Sequence, residues 1–402
     1  MSKVHVFTSA AFNYIPKVRL LFTSIKKFHP DWVLHIALPD ELRDDSDLSN
    51  ELFDYIHPIE NLNIPNYRGW AFCHQIVELA TAIKPFALNY LLGREDCAKA
   101  FYFDPDMVLF SELDDLLAAL DENNIILTPH LTEPETDITA VMNNEISALK
   151  HGIYNLGFIG VQNNEVSRQF AQWWSERLYN FCRDEIPNGL FTDQRWIDHV
   201  PVFFDGVKII KSPRHNVAPW NLTKREIQGD FDSGFYVNNE KLGFYHFTGF
   251  DCGDHKVMME LNSQGNDSAR QLVEWYLKRT NELSKDPLSN FPWAFGSYDN
   301  GDLISPLHRV SYRERGDLQS SFPDPFIASG FQAWWNANAS IEFPELAKSN
   351  SDEKLLKKFK SNLTAGFGKG TAKIDLSKIK QYWHALKIPE QRQRILKKVL
   401  KP

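Results

Sequence analysis

The sequence predicts an α/β fold with parallel strands, and three stretches carry that expectation. The chain opens strand–helix–strand: residues 4–8 are a short apolar strand, 16–28 an amphipathic helix with Pro16 in its first turn, and 32–37 a second strand ending at Leu38-Pro39. An apolar, aromatic run at 99–103 then reads as a buried strand that stops at Asp104-Pro105-Asp106. A third run of the same texture covers 152–162.

Between and after these stretches the pattern alternates. Residues 9–14 are a polar loop and 58–68 read as another, while 72–92 read as a helix interrupted near Pro85. Residues 113–120 look helical, 124–128 look like a strand, and 132–137 form an acidic loop. A strong amphipathic helix covers 165–183 and a shorter one 191–199. Two short strands at 235–237 and 244–247 flank an Asn-Asn turn, and 268–284 read as a helix. From Pro287 the chain turns to Pro, Gly, Asn and aromatic residues without a clear period. Three regions are therefore expected: 1–286, an aromatic-rich accessory region 287–348, and a basic helical tail 349–402.

Composition excludes several classes. An apolar fraction of 43% supports a core large enough for 402 residues, and 11 Trp with 29 Phe imply extensive ring packing. Four scattered cysteines without a CxxC offer neither a disulfide framework nor a zinc site. No GxGxxG follows the first strand, and no apolar run is long enough to span a bilayer. The expected location is cytoplasmic. Residues 347–402 hold 15 Lys/Arg against 4 Asp/Glu, a net of +11, so with −8 overall the rest of the chain carries −19. That acidic body argues against nucleic acid, and the tail is expected either to meet an anionic membrane surface, at roughly 1 kcal/mol per basic residue, or to be a solvated helical end.

Four segments carry candidate chemistry. Asp104 and Asp106, spaced i, i+2 at a strand end, suit one hard divalent cation; alone they are an acidic turn. Asn155 sits in the apolar run Tyr154-Asn-Leu-Gly157, where a buried amide needs partners. Thr192-Asp193-Gln194 stands at a helix start, where capping is the simplest role. His246 closes the short strand of Phe244-Tyr-His-Phe-Thr-Gly249, and beside two carboxylates it is a candidate third metal ligand.

In this order the segments resemble metal-dependent nucleotide-sugar glycosyltransferases of the GT-A fold, most closely the retaining family 8 that includes glycogenin and bacterial lipopolysaccharide galactosyltransferases. The resemblance covers roughly residues 3–260. It implies a Rossmann-like, mixed, mostly parallel sheet flanked by helices, with the region after residue 287 as an extension without counterpart. It implies Mn²⁺ or Mg²⁺ held by Asp104, Asp106 and His246, a donor-sugar contact from Asn155 and Gly157, and Asp193 and Gln194 beside the anomeric carbon as catalytic residues. Thr8, Ser9, Asn13 and Tyr14 would hold the nucleobase, Thr81 and Lys84 would line the donor pocket, and Thr248, Gly249 and Lys256 would face the diphosphate. Arg195 stands where the family has a second Asp, and no Lys-Pro-Trp follows His246. The partners so implied are a nucleotide-sugar, of which a UDP-sugar is expected, and a glycan or lipid-linked glycan acceptor in surface polysaccharide synthesis. A non-catalytic carbohydrate- or nucleotide-binding protein on the same scaffold is the second reading, with Trp293, Tyr298, Tyr312, Trp334 and Trp335 as its glycan face.

Overall fold

The computed structural model describes residues 2–43, 46, 48–250 and 253–343. One unit comprises Met1–Asn338 and another Ala339–Pro402, the latter described only over 339–343. The basic tail at 349–402, Asp251 and Cys252 lie outside the described residues.

The first seven strands are β1 (Lys3–Ser9), β2 (Val33–Leu38), β3 (Tyr55–Pro58), β4 (Cys97–Phe103), β5 (Met107–Leu109), β6 (Ile125–Pro129) and β7 (Tyr154–Gln162). Seven strands make the main sheet, in the order Val207–Ile209, β6, β7, β4, β1, β2, β3. Only β7 runs against its neighbours; every other adjacent pair is parallel. The expected mixed, mostly parallel sheet flanked by helices is present. In open parallel sheets ligands bind beyond the carboxyl ends of the strands, and Ser9 and Asp104 mark that end on neighbouring β1 and β4.

One helix, Ile15–Phe28, buries Val18, Leu21, Phe22 and Ile25, the three- and four-residue spacing of an amphipathic face. It shares a core with Phe101, Phe103, Phe158 and Phe244. Phe158 lies 5.0 Å from both Phe103 and Phe244, and these two are 5.3 Å apart. Such ring pairs add about 0.5–1.5 kcal/mol each beyond their area. They lock the strand Phe244–His246, which pairs antiparallel with β5, against β4 and β7. A second core joins Tyr245 and Phe247, in and just after that strand, to Leu272 and Tyr276 of the helix Asp267–Leu283 and to Ile227, Phe235 and Val237 of a three-stranded antiparallel sheet.

Several local expectations change. Residues 55–58 add an edge strand beside β2 where a loop is expected nearby. A first helix, Tyr67–Phe72, ends where one is expected to begin, and the single helix expected over 72–92 is divided into a second, Ile76–Ala82, and a third, Lys84–Leu92. Pro85 starts the third, because a first-turn proline has no intrahelical N–H to lose. Glu78 caps the second, its Oε2 accepting from Gln75 N at 3.0 Å. The segment 138–151 is helical, capped where Asp137 Oδ1 accepts from Thr139 N at 2.9 Å and Ala140 N at 3.1 Å. Residues 287–338 fold onto the segment 66–74 through Arg309, which is buried. Its guanidinium donates to the carbonyls of Phe72 (3.2 Å), His74 (2.8 Å) and Phe295 (2.6 Å).

Three buried histidines form a chain across β1, β2 and β3. His5 Nδ1 is 2.8 Å from His35 Nε2, and His35 Nδ1 is 2.9 Å from His57 Nε2. Burial first, then neighbouring positive groups, hold His35 down to about 2 and His57 to about 4, from 6.5. Folded values below the unfolded one mean that the unfolded chain binds more protons, so this stability is full above pH 6.5 and lost as pH falls. Each neutral imidazole is expected to cost about 2 kcal/mol of unfolding free energy between about pH 6.5 and 5. Urea titrations across that range check this, and a flat profile would show that the imidazoles protonate without unfolding.

Candidate metal centre

The chain leaves β4 at Phe103, and Asp104 N donates to Gly157 O at 2.7 Å, which ties the turn to β7. Asp106 O accepts from Phe247 N at 2.9 Å, so the same turn is fastened to the strand carrying His246. His246 pairs with Met107 across that small sheet. Its Nε2 then lies 3.1 Å from Asp106 Oδ1 and 3.7 Å from Asp104 Oδ2. One ligand atom from each of the three residues falls within 4.8 Å of the others.

The electrostatics are those of a cation site. Burial disfavours charge on His246, yet Asp106 and Asp104 outweigh it and raise its pKa. Asp106 is held below the usual carboxylate range, as His246 and Lys17 overcome the cost of burial. Asp106 Oδ1 is buried and faces His246 Nε2. Two carboxylates and one imidazole converging on one point fit Mn²⁺ or Mg²⁺.

Lys84 stands next to this group with its side chain almost wholly buried. Its Nζ lies 2.9 Å from Asp193 Oδ2 and 3.3 Å from Asp104 Oδ1, and donates to Leu156 O at 3.2 Å. Burial opposes its charge, but the two carboxylates raise its pKa. Burial raises that of Asp193, against the pull of Lys84. Tyr102 OH donates to Asp104 Oδ1 at 2.5 Å. Beside the group lies a cleft of about 770 Å³ lined by Lys84, Asp104, Asn155, Gly157, Asp193, Gln194 and His246.

Gln194 is held on both sides. Its Oε1 accepts from Leu156 N (3.0 Å) and Asn155 Nδ2 (3.3 Å), and its Nε2 donates to His151 O (2.9 Å). That occupies both oxygen lone pairs. Gly157 has no room for a side chain: a Cβ there would fall 2.5 Å from Met107 Cε, 2.6 Å from His246 Cε1 and 2.9 Å from Asn155 Oδ1.

Thr81, Thr248 and Gly249 also line the cleft. Thr8 and Ser9 are buried at the end of β1, and Thr8 Oγ1, Ser9 Oγ and Asn13 Oδ1 have no partner among the described residues. Tyr14 carries the Lys17 ammonium 4.1 Å above its ring. Lys256 sits elsewhere: its side chain is 84% exposed and pairs with Glu260, since this face of the helix Asp254–Asn262 turns to solvent. The cation whose charge reaches Asp106 is Lys17, which sequence reading missed, although its place one turn after the polar loop was visible. Tyr102, His130 and Asn216 were missed as well, because only tertiary contact joins them to the centre.

No family model matches the chain. It is similar to an uncharacterized protein of Bacillus subtilis (strain 168), YfnD, with 26% identity over 257 residues, 62% of this chain and 79% of that one. Among solved structures it is similar to galactosyltransferase LgtC in complex with donor and acceptor sugar analogs, at 17% identity and TM-score 0.44, over 71% of this chain and 97% of that one. It is also similar to the glycosyltransferase GlyE of Streptococcus pneumoniae TIGR4, at 13% identity and TM-score 0.39, over 81% of this chain and 73% of that one.

Gly157→Ala tests the close packing beneath the centre. Overpacking of this kind costs about 1–3 kcal/mol. Met107 can yield, but His246 is fastened by its strand. Mn²⁺ affinity, read by titration of the folded variant, is expected to fall about tenfold or more; unchanged affinity would show that the imidazole is free to shift.

Proposed function

We propose that the protein is a metal-dependent glycosyltransferase that moves a sugar from a nucleotide-sugar to a glycan acceptor. The observation that carries this reading is the convergence of Asp104, Asp106 and His246 within 4.8 Å beside a cleft that also holds the Lys84–Asp193 pair. Asp104, Asp106 and His246 would hold Mn²⁺ or Mg²⁺. When bound, the ion supplies Lewis acidity toward the leaving diphosphate, worth several kcal/mol in such reactions.

The chain's own residues position the substrate. Lys84 holds Asp193 in place and opposes the effect of burial on its charge, so that its carboxyl group can bind sugar hydroxyls, a positioning role. The unpartnered oxygens of Thr8, Ser9 and Asn13 support a nucleoside at the end of β1, since buried polar atoms need hydrogen bonds. We assign the donor as a UDP-sugar and the outcome as retention of anomeric configuration on the motif resemblance. The acceptor assigned is a lipid-linked glycan, which the composition of the basic tail motivates.

Asp104→Asn and Asp106→Asn keep shape and remove charge. Each is expected to lower Mn²⁺-dependent hydrolysis of UDP-sugars by about 100-fold or more, with the melting temperature little changed. Wild-type turnover that persists in EDTA would sink the metal role. Mn²⁺-dependent nucleotide binding without any turnover would favour the non-catalytic binding protein.

A further inference from the structure

Asn155 is 6% exposed and every polar atom of its amide is already engaged by protein. Its Oδ1 faces three donors: Gly157 N at 3.2 Å, Asn216 Nδ2 at 3.0 Å and His246 Nδ1 at 3.2 Å. Its Nδ2 faces Gln194 Oε1 and His130 Nε2, both at 3.3 Å. The amide has no alternative orientation. The Gly157 N–H can only donate, so it requires the oxygen on its side, and the Leu156 N–H requires the same of Gln194 Oε1 at 3.0 Å. Once Oδ1 is fixed toward His246, Nδ1 of that imidazole must be the protonated nitrogen. In the neutral ring the lone pair is then left on Nε2, which faces Asp106 and Asp104.

We infer that Asn155 is a positioning residue for the metal centre, fixing the ring orientation and tautomer of His246, rather than the contact to the donor sugar that its motif resemblance implies. The oxygen has no lone pair left for a sugar hydroxyl, and both amide hydrogens are engaged. Asn216 extends the network: its Nδ2 also lies 3.0 Å from Thr128 Oγ1, at the end of β6. The ligand is thus braced by β6 and β7 together. Outer partners of this kind hold metal-bound histidines in place, and their loss costs 10–100-fold in affinity. The inference rests on the reading that Asp104, Asp106 and His246 bind a divalent cation.

The test compares wild type, Asn155→Leu and Asn155→Asp, with Mn²⁺ alone and no nucleotide, by the electron paramagnetic resonance signal of free Mn²⁺. Wild type that binds no Mn²⁺ overturns the metal reading itself, whatever the variants do. With wild type binding, Asn155→Leu is expected to weaken Mn²⁺ by 10–100-fold, while Asn155→Asp, which still accepts from Nδ1, stays within a few-fold. Unchanged Mn²⁺ affinity in Asn155→Leu, with weakened sugar-nucleotide binding at saturating Mn²⁺, would return Asn155 to the donor and overturn the inference. Should Asn155→Leu fail to fold, wild type loaded with ¹¹³Cd²⁺ decides. Coupling of the metal to Nε2 of His246, with the proton on Nδ1, upholds the inference; coupling to Nδ1 overturns it.

Discussion

Lys84 lies almost wholly out of water between Asp104 and Asp193, and the site depends on that ammonium. Three carboxylates, those of Asp104, Asp106 and Asp193, meet at one end of the sheet, where isolated charges are expensive. One lysine cancels one of them and leaves a deficit of two positive charges. A protonated His246 covers half of that deficit, and a divalent cation with neutral imidazole covers all of it. The raised pKa of His246 is a sign of that imbalance. The helix Lys84–Leu92 must therefore be placed accurately. It packs on the helix Glu165–Phe181, with Asn89 Nδ2 donating to Ala171 O at 3.2 Å.

Features that a residue declares locally were legible in the sequence. The apolar runs of β1, β2, β4 and β7 announce buried strands, and Asp-Pro-Asp announces where one stops. His246 was found through its order after the other motifs. The residues that no local pattern reveals are those whose role is a contact: Tyr102 is one more aromatic in a strand, and Asn216 and His130 sit in irregular chain. The helical segment 138–151 escaped because Ile138, Met142 and Leu149 face solvent, which erases the usual apolar stripe. The helix Pro306–Glu314 escaped for the opposite reason, since it buries Arg309 and Ser311 beside Leu307, Val310 and Tyr312.

Arg309 also explains why residues 287–338 hold together without a clear period. A buried guanidinium with three backbone carbonyls as partners gives a directional anchor where hydrophobic patterning is weak. The rings of Phe72 and Trp293 lie within 5.7 Å and 5.1 Å of it and complete its surroundings. Trp293 Nε1 reaches Pro39 O at 2.8 Å and Ala294 N reaches Asp40 Oδ1 at 2.9 Å, so the same segment closes over the end of β2.

The reversed direction of β7 has a consequence for how such a protein diversifies. Because it runs against β4, it presents its first residues to the centre, and the chain must cross the mouth of the cleft before the strand begins. Residues 131–150 make that crossing, and Asn144, Ser147 and Ala148 form part of the wall. This wall is outside the main sheet's pairing, whereas Asn155 and Gly157 are inside it. Lengthening or shortening the crossing would reshape the space for a substrate while the register of β4 and β7 kept the two aspartates and the histidine together. The fold thus separates a part free to drift from a part that is not.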